Sequence, residues 1–288
     1  MRTRFAPSPT GPLHLGHAFS ALTAFDMAEA AGGTFLLRIE DIDRSRARPE
    51  WEAQIETDLA WLDIRWPGPV RRQSDHLDAY RRALQTLWDR GFLYPCSCSR
   101  RDILTALDAP QEGVTHGPDG PVYPGTCRPA APPSGPLPVD AALRIDMRKA
   151  VQAIDGKSLG FTETGPRHAG TVHLSPDHLL THVGDVVLAR RDMGTSYHLS
   201  VCVDDAAQEV THVVRGEDLF DATAIHVLLQ RLLDLPSPVY HHHRLIRDAA
   251  GRRLAKRDDA RAIARYREDG LTSGDLRARL GLSRAPAP

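Results

Sequence analysis

The chain has 288 residues, of which 41% are hydrophobic and 25% charged, with a formal net charge of −1. That length allows one large domain with an insertion or two modest ones, each with a real core, and the near-neutral balance neither announces a nucleic-acid partner nor excludes one. The opening MRTRFAPSPTGP has no apolar core of signal-peptide length, and no run approaches the ~18 apolar residues of a membrane span, so a cytoplasmic protein with no membrane partner is expected.

Residues 3–6 read as a short strand. Pro7, Pro9, Gly11 and Pro12 then force a turn, and a periodic run over 17–31, closed by Gly32 and Gly33, reads as a helix. The β-rich stretch 34–39 follows directly, which makes a parallel crossover the simplest arrangement and an α/β sheet the expected fold class. Amphipathic helices are expected near 50–62 and 75–90. From about 108 to 138 Pro and Gly crowd the chain, too broken for regular elements and too long for an ordinary connection, as in part of an inserted subdomain. Strands are expected at 142–146 and 185–189, then a mixed stretch over 196–207, a strand at 210–215, a helix over 219–233 and a last strand at 239–246. A charged loop, RDAAGRRLAKRDD, and two short helices end the chain.

Neither a P-loop nor a GxGxxG pattern occurs, so a nucleotide must be held another way. His14, Leu15, Gly16 and His17 sit where a turn meets a helix N-terminus, a place where free N–H groups and the helix dipole favour phosphate. Gly16 admits close approach of a ligand to the backbone, and the two imidazoles can donate to charge growing on a phosphoryl oxygen. Four cysteines do not make a disulfide framework in a chain of this size. Cys96, Cys98 and Cys127, with Tyr123, leave two readings open: reduced thiols, or a tetrahedral zinc site that needs all four groups or a substitute such as His116. Cys202 reads as a packing residue.

Five ordered strings, RFAPSPTGPLHLGH, RIEDIDRSR, SYHLSVCVDDA, VVRGEDL and RLAKR, resemble the catalytic domain of class I glutamyl-tRNA synthetases, and the resemblance covers nearly the whole chain. It implies a Rossmann-like catalytic domain with an inserted zinc-bearing subdomain and a short helical C-terminal stem, divided as 1–91, 92–184, 185–247 and 248–288. The histidine block corresponds to the family's HIGH motif, and RLAKR to its KMSKS loop. The resemblance makes His14, His17 and Lys256 catalytic and gives ATP to His14, Gly16, His17 and Lys256, with Mg²⁺ helping to neutralise the pyrophosphate. Lys256 is one of three lysines among thirty-six basic residues. Arg253 and Ala255 depart from the motif, and the family's hydroxyl contact is lost at 255. For glutamate, the resemblance assigns Arg4, Phe5, Ala6, Pro7 and Ser8 to the strand edge, Glu40 to the ammonium, and Tyr197 and Arg215 to the side chain. A charged hydrogen bond from Arg215, at ~1.5–3 kcal/mol, implies roughly ten- to hundredfold preference for glutamate over glutamine. The competing reading of Glu40, Asp41, Asp43 and Arg44 is a surface ion-pair network. One branch of the family places a tyrosine as fourth zinc ligand at this spacing, which favours Zn²⁺ at Cys96, Cys98, Tyr123 and Cys127.

The chain ends about thirty residues beyond Lys256, where an ordinary member continues into an anticodon-binding region. The expectation is therefore the branch lacking that region, which activates glutamate without tRNA and esterifies it to the queuosine base in the anticodon loop of tRNA(Asp). A monomer is expected. Three other readings compete: a shortened ordinary glutamyl-tRNA synthetase, a nucleotidyltransferase of the same superfamily, and a non-catalytic RNA-binding module.

Overall fold

The computed structural model describes residues 1–107, 115–154, 158–246 and 261–282. In chain order, the first half has β1 (Arg2–Phe5), α1 (Leu15–Ala30), β2 (Thr34–Ile39), α2 (Pro49–Trp61), β3 (Arg71–Arg72) and α3 (Leu77–Asp89). The middle has β4 (Leu93–Cys96), α4 (Arg100–Leu107), β5 (His116–Gly117), β6 (Gly120–Pro121), β7 (Ala142–Ile145), α5 (Met147–Ala153), β8 (Leu159–Glu163), β9 (Gly170–Leu174), α6 (Pro176–His178) with a π turn over Leu179–Val183, and β10 (Val187–Ala189). The last part has α7 (Tyr197–Ala207), β11 (His212–Gly216), α8 (Thr223–Leu232), β12 (Val239–His243), α9 (Ile263–Glu268) and α10 (Ser273–Leu280).

β1, β2 and β3 pair in parallel in the order β1-β2-β3. Beyond the other edge of β1 lies β11: the Thr211 N–H donates to the Arg2 carbonyl at 3.0 Å. β11 pairs in parallel with β12 and β12 with β8, which closes an antiparallel hairpin with β9. The layer thus runs β3-β2-β1-β11-β12-β8-β9, with helical crossovers that cover the strands. A second sheet, β10-β7-β4, is antiparallel. Hydrogen bonding crosses both ends of segment 92–184, because β8 pairs with β12 and β10 pairs with β7.

Local chemistry explains these elements. His14 caps α1, so the helix starts before residue 17. Ala18, Ala21, Ala24 and Ala28 are buried on α1, and small side chains let it lie close against β1. On α3 the residues Tyr80, Leu84, Leu87 and Trp88 recur at helical spacing and enter one large apolar cluster with β4, β7, α7 and α8. A second cluster joins α1, β1, β2 and α2 to α9 and α10. Each fully buried large aliphatic side chain contributes about 1.5–3 kcal/mol, which fixes the two halves around the strand ends between them. The Pro/Gly-crowded stretch shows only the two-residue strands β5 and β6 among its described residues. Among the described residues no helix is long and apolar enough to cross a membrane.

Candidate active site

A cavity of about 700 Å³ opens at the carboxyl ends of the parallel strands, where open α/β sheets offer a crevice. Residues following β1, β2, β11 and β12 line it, together with the start of α1 and of α7. Arg4, Phe5, Ala6, Pro7, Ser8, His14, Gly16, His17, Glu40, Tyr197 and Arg215 all face this one space. Lys256, Arg253 and Ala255 lie outside the described residues. The chain on either side of them meets the cavity: Leu245 and Ile246 line it, and Ala262 forms an antiparallel bridge with His14.

At the N-terminus of α1 two histidines replace the usual hydroxyl and carboxylate of a capping box. His14 Nδ1 accepts from the Gly16 N–H at 3.1 Å, and His17 Nδ1 accepts from the His14 N–H at 3.2 Å. Their rings stack 3.8 Å apart. With both Nδ1 atoms accepting, the neutral rings carry their protons on Nε2, the tautomer that can donate outward. A Cβ on Gly16 would come within 3.0 Å of the His14 ring, so glycine keeps this cap compact.

Beneath the cavity floor lies a buried layer of ion pairs. Arg4 grips Asp205 with Nε and Nη2, at 3.0 and 3.2 Å, and Arg38 reaches the same carboxylate at 2.7 Å and Glu40 at 3.2 Å. Burial acts to raise the Asp205 carboxyl, but Arg4 and Arg38 outweigh it and hold Asp205 below the ordinary carboxylate range. For Glu40 burial wins over Arg38 and Arg4, so its carboxyl is pushed up. Asp204 is satisfied separately by Arg71, Gln73 and Tyr80 at 2.8–2.9 Å. The surface network of Glu40, Asp41, Asp43 and Arg44 does not form: Glu40 is buried with Arg38, Asp41 binds Ser74, and Asp43 binds Ser45 and Arg46.

Arg215 is held differently. It is only 5% exposed, yet it forms no ion pair among the described residues. Its Nε–H donates to His242 Nε2 at 3.0 Å, Nη1 to His226 Nδ1 at 3.0 Å, and Nη2 to the Leu219 carbonyl at 3.1 Å and Thr223 Oγ1 at 2.7 Å. Four of five N–H groups are thereby used, which leaves one on Nη1. Burial, reinforced by the Arg215 charge, lowers His242 to about 4 and takes His226 well below the ordinary imidazole range, so both rings are neutral. Among the buried groups here Arg4 and Arg38 are matched by Glu40 and Asp205, and Arg215, beside Tyr197, has no carboxylate against it among the described residues.

Away from the cavity, Cys96, Cys98 and Cys127 bring their sulfurs within 4.8 Å of one another. The Tyr123 hydroxyl lies 3.4 Å from Cys96 Sγ and 3.3 Å from Cys98 Sγ, and Cys98 and Cys127 are 3.4 Å apart. A tetrahedral zinc ion would need ligand separations of about 3.5–3.8 Å, so the four groups fit one. His116 lies on β5 outside this cluster. Cys202 is buried on α7 with its thiol near the His226 carbonyl, 3.7 Å away.

The model of tRNA synthetases class I (E and Q), catalytic domain, matches residues 1–116 and 162–284. The chain is 63% identical over 283 residues to the glutamyl-Q tRNA(Asp) synthetase of Rhodobacter capsulatus, covering 98% of this chain and all of that protein. It belongs to the glutamyl-Q tRNA(Asp) synthetase family of class I tRNA synthetases. A member from Geobacter sulfurreducens is 40% identical over 92% of this chain and 78% of its own. The crystal structure of a glutamate tRNA ligase from Elizabethkingia meningosepticum in complex with its amino acid matches with a TM-score of 0.69 and 28% identity, covering 90% of this chain. This chain spans about half the length of that ligase, 52%.

Within this member of the family, the sequence motifs pass over several residues that shape the site. Arg38 lies in RIEDIDRSR and Asp205 in SYHLSVCVDDA, and an arginine in an apolar strand is itself a sign of a buried pairing partner. Glu163, His226 and His242 lie outside all five strings, and only the folded chain brings them together around Arg215.

Proposed function

We propose that the chain uses ATP to convert L-glutamate to glutamyl-adenylate without tRNA present, and then transfers the glutamyl group to the queuosine base in the anticodon loop of tRNA(Asp). The names of its relatives support this reading. The observation that carries it is the surplus cation of Arg215, held by neutral partners in the same cavity as the α1 N-terminus. Glutamate has two carboxylates and one ammonium, and its second carboxylate supplies the anion that Arg215, alone among the buried arginines of the cavity, lacks among the described residues. Glutamine would leave the surplus unmatched.

In this reading Glu40 receives the ammonium, Tyr197 and Arg215 read the side chain, and Arg4 with residues 5–8 shapes the edge. His14, Gly16 and His17 meet the phosphates, and Lys256 works with them. An oxygen of the α-carboxylate attacks the α-phosphorus in line, the bond to pyrophosphate breaks, and pyrophosphate leaves with the electron pair. A hydroxyl of the modified base then attacks the acyl carbon, an ester forms, and AMP departs with the hydroxyl proton on its phosphate. Mg²⁺ enters with ATP and would neutralise the departing pyrophosphate. Zinc held by Cys96, Cys98, Tyr123 and Cys127 would cross-link the strand end at Cys96 to the loop at Cys127. The division into 1–91, 92–184, 185–247 and 248–288, a monomeric state and a cytoplasmic location complete the proposal.

Glutamate-dependent ATP–pyrophosphate exchange in the absence of RNA tests the first step. Robust exchange with glutamate and little with glutamine is expected; no exchange, or equal exchange with both, would overturn the reading in favour of an RNA-binding module or an ordinary synthetase that needs its tRNA. Transfer of labelled glutamate to tRNA(Asp) with and without the modified base tests the second.

A further inference from the structure

The hydrogen bonds around Arg215 run in one direction only. An arginine can donate and never accept, so His242 must present a bare Nε2 and His226 a bare Nδ1. His242 then carries its proton on Nδ1, which lies 2.5 Å from Glu163 Oε2. His226 carries its own on Nε2, 3.1 Å from His198 Nδ1, and His198 in turn points Nε2 toward Asp119 at 3.7 Å. Glu163 has no exposed side-chain surface and is fixed by two more donors, the backbone N–H groups of His242 and Gly165 onto Oε1. A Cβ on Gly165 would fall 2.3 Å from the His242 carbonyl oxygen and 2.6 Å from Glu163 Oε1, so glycine is required for this clasp.

Every other buried arginine of the chamber touches a carboxylate directly, whereas Arg215 reaches Glu163 only through an imidazole. We propose that Glu163 is a positioning and specificity-determining residue for the amino-acid side chain: by fixing the proton of His242 on Nδ1, it holds Arg215 in place without neutralising it, leaving the cation for a ligand carboxylate. The inference rests on the reading of Arg215 as the glutamate side-chain contact. A direct Glu163 to Arg215 pair would satisfy the guanidinium and weaken its hold on a ligand; the imidazole spacer avoids this.

Glu163→Gln tests it. The amide oxygen can keep both backbone donors on Oε1, but the NH₂ group replaces Oε2 and must donate to His242 Nδ1. The proton of His242 moves to Nε2, where it meets the Arg215 Nε–H, donor against donor. In ATP–pyrophosphate exchange the KM for glutamate should rise roughly tenfold or more while the KM for ATP stays within about twofold. On an Arg215→Ala background the same change should add nothing further to the glutamate KM. An unchanged glutamate KM in Glu163→Gln, parallel rises in both KM values, or full additivity with Arg215→Ala would overturn the proposal. If Arg215→Ala alone leaves the glutamate KM unchanged, the underlying reading of Arg215 fails as well; a strong Arg215→Ala effect with a silent Glu163→Gln sinks the inference alone. Should Glu163→Gln not fold, ¹⁵N imidazole NMR of the unaltered protein decides: a neutral His242 protonated on Nδ1 is expected, and a proton on Nε2 overturns the proposal.

Discussion

Replacing Arg215 with alanine removes the one buried guanidinium of the cavity that no carboxylate neutralises among the described residues. Two effects separate. The ligand loses a charged hydrogen bond worth about 1.5–3 kcal/mol, which converts to a rise of roughly ten- to 150-fold in the KM for glutamate. The protein loses the donors to His226 Nδ1 and His242 Nε2; His242 Nε2 keeps the Thr223 hydroxyl at 3.3 Å, whereas His226 Nδ1 is left without a partner, at a cost of about 1–3 kcal/mol unless water enters the vacated space. Glutamine gains nothing from the surplus charge, so its weak exchange should change little and the ratio of glutamate to glutamine exchange should fall toward unity. The assay is ATP–pyrophosphate exchange with glutamate, glutamine and ATP titrated separately, alongside a thermal melt to confirm folding. His14, Gly16 and His17 stand on another element, so the KM for ATP should remain within about twofold. A folded variant with unchanged glutamate KM, or with equal rises for glutamate and ATP, would refute the charge-matching argument.

Asp205→Asn leaves Arg4 and Arg38 sharing one fewer carboxylate in a buried layer; a loss of about 3–5 kcal/mol and a melting temperature lower by roughly 10 °C are expected, readable by denaturant and thermal unfolding. Asp58 is fully buried on α2 with Arg267 of α9 at 3.2 Å, and burial, which Arg267 only partly offsets, raises its carboxyl to about 6. The unfolded chain releases this proton at lower pH than the folded one does, so stability should fall as pH rises from about 4 to about 6, by at most about 3 kcal/mol. Asp58→Asn should flatten that part of the stability profile, and an unaltered profile would rule out Asp58 as its source. Metal analysis of the purified protein should find about one zinc per chain, and Cys98→Ser or Cys127→Ser should lower it sharply with loss of thermal stability; full zinc content in both variants would remove the cluster as the site.

Much of the architecture was legible before folding because its signals are local. The turn of prolines after residue 6, the glycine pair closing α1 and the β-rich run after it define the β1-α1-β2 unit, and the structure pairs β1 and β2 in parallel as the sequence predicts. The boundaries of α2 and α3 lie within two residues of the expected ones for the same reason, whereas α8 begins four residues later than expected and β12 ends three residues earlier. The mixed stretch over 196–207 is one helix, α7, buried on nearly all sides, and Asp204 and Asp205 sit inside it as paired charges, which erases the apolar periodicity of an ordinary surface helix. The β8–β9 hairpin pairs locally, but its place in the layer is set by contacts with β12, about eighty residues later, through the Tyr240 to Glu163 pair and the Glu163 to His242 hydrogen bonds.

By itself the sequence determined which residue types the site would contain, since ordered motifs and short-range patterning are written along one dimension. What only the tertiary structure decided is how their charges are balanced. Arg4 is spent on Asp205, Glu40 is shared with Arg38, and Arg215 is held by two imidazoles with no carboxylate against it among the described residues. Electrostatic balance in a buried chamber depends on distances between groups far apart in the chain, and those distances exist only once the strands are packed side by side.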